Sequence, residues 1–171
     1  MKFTLTIITL FASVVATAQN LNTFSATLRP DSLCYLSIKN GKAYTKEAAA
    51  AEKTVLDLGL FETRSDKSST IEWYNLKPDN EKVPEALCGT KTKVAAISFD
   101  REQFDKCKTA ADLKRMTGYI STNSFSHFAV VRNSNDYYQR CFIIEREDGK
   151  RGLLFVTATG GNTFKAEVKA E

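Results

Sequence analysis

The chain has 171 residues, with 24 Lys and Arg against 20 Asp and Glu, a net charge of +4, and a single histidine. A positive balance this mild and this evenly spread argues against nucleic acid or an anionic membrane as the partner. One histidine excludes most acid–base and metal constellations, and no HExxH, G-x-S-x-G elbow or phosphate loop is present, so no cofactor and no metal is expected.

Residues 1–18 read as a cleavable export signal. Lys2 supplies the positive start, residues 3–15 are apolar apart from Thr4, Thr6, Thr9 and Ser13, and Ala16-Thr17-Ala18 is a small-x-small cleavage site before Gln19. A membrane-spanning helix needs about 20 mainly apolar residues, more than this run supplies, and no later segment qualifies, so no membrane span is expected. Residues 19–171 then form a single globular domain that is periplasmic or released.

Residues 19–29 read as an irregular lead-in closed by Pro30. Residues 33–38 are a β-prone run, Asn40-Gly41 is a hairpin signal, and residues 42–44 are the return strand. Thr45 is an N-cap for a short alanine-rich helix with Glu47 in its first turn. In residues 54–61, Leu56, Leu58 and Leu60 alternate with Asp57 and Gly59, the pattern of a half-buried strand. Residues 64–69 read as a loop, residues 70–74 as a strand, and residues 76–92 as a long loop. Residues 94–99 form another strand, followed by a helix over residues 101–108 with Phe104 and Cys107 on one face. Thr109 caps a second helix over residues 110–116, ended by Gly118. Strands at residues 128–132, 137–145, 152–158 and 163–169 finish the chain, with turns at Asp148-Gly149 and Gly160-Gly161-Asn162. In the last of them Phe164, Ala166 and Val168 face one way and Lys165, Glu167 and Lys169 the other, predicting an antiparallel meander with one wet face. The expected class is α+β with β dominant: a mostly antiparallel sheet, two or three short helices and a C-terminal meander.

Cys34, Cys88, Cys107 and Cys141 all follow the export segment. An even count in an oxidising compartment predicts disulfides, with three pairings open. The favoured set is Cys88 with Cys107 and Cys34 with Cys141. Zinc is disfavoured because no two of these cysteines have C-x₂₋₄-C spacing, and free buried thiols are the alternative to bridges.

Chemistry-bearing candidates are few. Trp73-Tyr74 and Tyr137-Tyr138 put adjacent rings on strands, where neighbours face opposite sides, so one ring of each pair is expected at the surface as a binding residue for a sugar or a protein. Asp57, Glu62 and Glu72 are the carboxylates from which a glycosidase-type pair would have to be drawn. His127 reads as a hydrogen-bonded residue at a strand edge.

Three stretches together, the Cys34-Tyr-Leu-Ser-Ile strand, the alanine-rich helix before Thr54-Val-Leu-Asp-Leu-Gly-Leu-Phe, and Ile97-Ser-Phe-Asp-Arg-Glu-Gln-Phe-Asp, resemble a group of small exported proteins of Bacteroidota. The Asp148-Gly-Lys-Arg-Gly-Leu turn, the alternating final strand and the Ala18-Gln19-Asn20 junction fit the same pattern. The resemblance implies an exported domain and assigns no activity to any residue. The expectation is therefore a non-enzymatic secreted or periplasmic domain that binds a protein or glycan at the cell envelope. The alternatives are a small carboxylate-based hydrolase, or a secreted inhibitor presenting residues 77–87.

Overall fold

In the computed structural model, residues 19–52, 55–66, 68–76, 89–133 and 139–171 are described. The expected export segment, the expected inhibitory loop, Cys88, Tyr137 and Tyr138 lie outside them. The elements are β1 (Asn22–Leu28), β2 (Tyr35–Ser37), β3 (Lys42–Tyr44), α1 (Lys46–Glu52), β4 (Leu58–Ser65), β5 (Ser68–Asn75), β6 (Lys93–Ile97), α2 (Arg101–Lys106), α3 (Ala110–Thr117), β7 (Phe128–Asn133), β8 (Gln139–Glu145), β9 (Arg151–Gly160) and β10 (Thr163–Ala170).

The strands form two five-stranded antiparallel sheets, ordered β1-β10-β9-β8-β6 and β3-β2-β4-β5-β7. The class is α+β with β dominant, and β8, β9 and β10 form the C-terminal meander. Period-two alternation decides how the sheets meet. Leu36, Leu58, Leu60, Ile71 and Trp73 of one sheet face Phe142, Ile144, Leu154, Val156, Phe164, Ala166 and Val168 of the other. Removing each such large side chain from water contributes about 1.5–3 kcal/mol, which makes this layer the main source of stability. Along the flanks β1 lies beside β3 and β6 beside β7, so the sandwich approaches a flattened barrel.

Each sheet also has a covered outer face. On the meander sheet Cys141, Ile143, Leu153 and Phe155 pack with Phe104 of α2 and Leu113 of α3. The expected wet face of the meander is thus half a helix interface, because β8 and β9 carry apolar runs in which both phases are buried. Even the alternating β10 takes part: Lys169 Nζ donates to the carbonyls of Phe104 at 2.7 Å and Cys107 at 2.8 Å, closing the C-terminal end of α2. Both helices begin on reciprocal capping boxes, Asp100 with Gln103 and Thr109 with Asp112. On the other sheet Cys34, Tyr35, Tyr44, Leu56 and Leu76 pack with Ala49 of α1.

Three local expectations are corrected. The lead-in is the strand β1, and its Phe24, Ala26 and Leu28 sit opposite Val168, Ala166 and Phe164 of β10. Its period-two pattern is weak, and its partner lies at the far end of the chain. The loop at residues 64–69 is instead the tip of a long hairpin, with Ser65 paired to Ser68. The Cys34–Cys141 disulfide is absent: both are buried free thiols, as is Cys107. Cys34 and Cys141 occupy opposite outer layers with the central core between them, whereas a bridge requires Cα atoms within about 7 Å. The expected partner of Cys107, Cys88, lies outside the described residues.

A candidate ligand-binding face

The strand pair Trp73-Tyr74 splits across its sheet. Trp73 is fully buried in the central core, and its Nε1 has no hydrogen-bond partner among the described residues. Tyr74 points the other way and is half-buried on the outer face. One row of the ladder there runs Tyr35, Gly59, Tyr74, Phe128 across β2, β4, β5 and β7. The missing side chain at Gly59 is what lets Phe61 lie across the row, since a Cβ there would overlap the Phe61 ring.

The result is a continuous line of rings. Tyr35 and Phe61 meet edge-on at 5.8 Å between centroids, Phe61 and Tyr74 at 6.0 Å, and Tyr74 and Phe128 stack at 5.9 Å. Such pairs contribute about 0.5–1.5 kcal/mol each beyond the area they bury, so each ring helps orient the next. Exposure rises along the line, from 4% at Tyr35 under α1 to 48% at Phe128 on the edge strand β7. Burial drives the Tyr35 hydroxyl up to about 12, which keeps the inner end neutral.

Polar groups surround the outer end. The Tyr74 hydroxyl donates to Glu72 Oε2 at 2.7 Å, and Thr63 Oγ1 donates to the same oxygen at 3.3 Å. Exposed His127, just before β7, lies with its Nδ1 3.0 Å from Asn75 Nδ2, and its carbonyl accepts from the Asn75 N–H at 2.9 Å. The histidine is thus a strand-edge residue fixed to β5. A row of rings ending in an exposed phenylalanine, with a carboxylate, a phenol and an imidazole beside it, can stack and hydrogen-bond a ligand without any covalent step, and the Asn75 amide, itself buried, positions the imidazole.

The three carboxylates are not brought together. Glu72 and Glu62 point to opposite faces of their sheet. Glu62 accepts from Arg64 and Ser69 and from Asn162 of the β9–β10 turn, and the Arg64 guanidinium, with Ser69, holds its carboxyl below the usual range. Asp57 is 2% exposed and accepts from the Ile38 N–H at 2.7 Å, from Thr90 Oγ1 at 3.2 Å and from Thr92 Oγ1 at 3.1 Å. Retaining and inverting glycosidases need two facing carboxyl groups about 5–9.5 Å apart across one cleft, and these three sit in separate surroundings.

Of the aromatic candidates, Tyr74 joins the face, Trp73 supports it from behind, and Tyr137 and Tyr138 lie outside the described residues. Residue pattern alone does not single out Phe61 and Phe128. The signal for Phe61 is its place two residues after Gly59, and for Phe128 its place in a strand beside the lone histidine. No protein-family model, curated protein or solved structure matches this chain, so its functional reading rests on this geometry.

Proposed function

We propose that this chain is a non-enzymatic binding domain, exported to the periplasm or beyond, that takes a protein or glycan of the cell envelope on the outer face of the β3-β2-β4-β5-β7 sheet. The observation that carries this reading is the row of rings ending in Tyr74 and the 48%-exposed Phe128. Phe128 is the solvent-exposed end of a contiguous row, and a large apolar side chain left in water and backed by further rings is informative where a scattered one is not. The hydrogen-bonding rim of Glu72, Tyr74 and His127 favours a glycan: sugar rings present apolar C–H faces to the aromatic plane and hydroxyls to the rim.

The test is titration of the protein from Gln19 onward with soluble cell-wall muropeptides and envelope polysaccharides, followed by NMR shifts of the β5 and β7 amides. Binding should centre on Tyr74, His127 and Phe128, and Phe128→Ala should weaken it about two- to tenfold, the loss of one stacking contact. Saturable binding that Phe128→Ala leaves untouched, or shifts confined to the meander sheet, would remove the site. Intact mass of the chain recovered from the medium or periplasm tests export: a start at Gln19 supports it, and an uncut chain retained in the cytoplasm refutes it.

A further inference from the structure

The strand β6 forms one edge of the meander sheet, and its hydrogen bonds on that side stop partway along. Val94 exchanges both backbone bonds with Ser126, N to O at 3.0 Å and 2.9 Å. The chain before Ser126 then turns away into a single 3₁₀ turn at Thr122–Ser124. Because backbone direction alternates along a strand, Ala95 and Ile97 turn their groups to β8, while Ala96 and Ser98 turn theirs outward with Val94. Neither Ala96 nor Ser98 has a backbone partner on that side among the described residues, and both are exposed.

Two cavities adjoin this short edge. One, of about 530 Å³, is lined by Asp100 and Arg140. The other, of about 500 Å³, is lined by Gln103, Tyr119, Ile120 and Ser124, with Tyr119 76% exposed. Residues 96–99 line both. An added strand would send successive side chains to alternate faces of the sheet, beside the residues that line these cavities.

We propose that the outward edge of Ala96–Ser98 binds an extended segment of another polypeptide by strand addition. Its backbone pairs with Ala96 and Ser98, a bulky apolar side chain enters the Tyr119–Ile120 cavity, and a polar side chain at the alternate position meets Arg140 and Asp100. A second copy of this chain is the poorer occupant. A stable dimer buries about 800 Å² per partner, more than so short an edge delivers, whereas a peptide draws its affinity from side chains in flanking pockets. This site lies on a different sheet from the aromatic row and does not depend on it.

The experiment selects displayed random seven-residue peptides on the protein from Gln19 onward, then titrates the synthesised winners into ¹⁵N-labelled protein with amide exchange as the readout. In the free protein the Ala96 and Ser98 amides should exchange quickly while those of Ala95 and Ile97 are protected, and bound peptide should protect all four. Ala96→Pro removes an outward N–H that makes no internal bond, so the fold should persist while peptide affinity falls at least about tenfold. Tyr119→Ala should weaken the same peptides without changing the exchange pattern of the free protein, and it keeps the test open if the proline variant misfolds. Selection of no peptide, winners that protect other amides, or unchanged affinity in both variants would overturn the proposal. So would protection of Ala96 in the free protein that vanishes on dilution, which assigns the edge to a second copy.

Discussion

Asp57 separates a structural carboxylate from a catalytic one, and the structure sets the size of the effect. Its side chain ties Ile38, at the end of β2, to Thr90 and Thr92, on the approach to β6, and Ile38 and Thr92 are themselves 2% and 0% exposed. In Asp57→Ala the buried Ile38 N–H loses its acceptor, at a cost of about 1–3 kcal/mol, and two hydroxyls lose theirs. Those hydroxyls lie 2.7 Å apart and can bond to one another, which limits their share. The total is about 3–4 kcal/mol, and at roughly 2–4 °C per kcal/mol the midpoint should drop by about 10 °C. Asp57→Asn retains an oxygen for Ile38, and its new N–H₂ can donate to the hydroxyls, so it should cost about 1–2 kcal/mol. Thermal unfolding followed by circular dichroism reads both variants. If Asp57→Ala melts with the wild type, or Asp57→Asn falls as far as Asp57→Ala, the clasp is not what holds these segments together.

The split of Trp73 and Tyr74 predicts unequal truncations: Trp73→Ala should cost about 3–5 kcal/mol in denaturant unfolding and Tyr74→Ala about 1. As the chain's one tryptophan, Trp73 should also emit at short wavelength and resist quenching by iodide. Burial pushes the Cys34 thiol up to about 11 and Cys141 up to about 12 from an ordinary value near 9. The folded form therefore holds these protons longer than the unfolded one. The stability they contribute is whole below about pH 9 and is lost as pH rises through 11–12, a fall that alkaline denaturation should detect and that Cys34→Ala with Cys141→Ala should flatten. Neither thiol should react with a disulfide reagent before unfolding; prompt reaction at about pH 8 would contradict their burial. Lys169→Met keeps the packing against Phe104 but removes the donor to the Cys107 carbonyl and leaves the Phe104 carbonyl only the Cys107 N–H, and should cost about 1–2 kcal/mol in urea unfolding.

Much of the local structure is legible in the residues. Asn40-Gly41 and Asp148-Gly149 mark turns with glycines at φ 66° and 79°, and Thr109 caps α3 with Asp112 completing the box. The period-two pattern shows directly in β10, and the rule that strand neighbours face opposite ways is enough to put one ring of Trp73-Tyr74 outside. These features depend on contacts a few residues apart, and chain chemistry specifies such contacts directly.

Other features are decided only where distant segments meet. Nothing in Trp73-Tyr74 says which ring faces the core; the opposing meander sheet makes that choice. Tyr35, Phe61, Tyr74 and Phe128 are scattered widely along the chain, and only the order β2-β4-β5-β7 brings their rings into one line. Four cysteines suggest bridges, yet the layering sets Cys34 and Cys141 on opposite outer faces, where no rotamer can span a core two sheets thick. The same holds for the open edge at Ala96: a strand's unpaired side is a property of its neighbours, and β6 acquires one because Ser126 pairs with Val94 and the chain before it turns away.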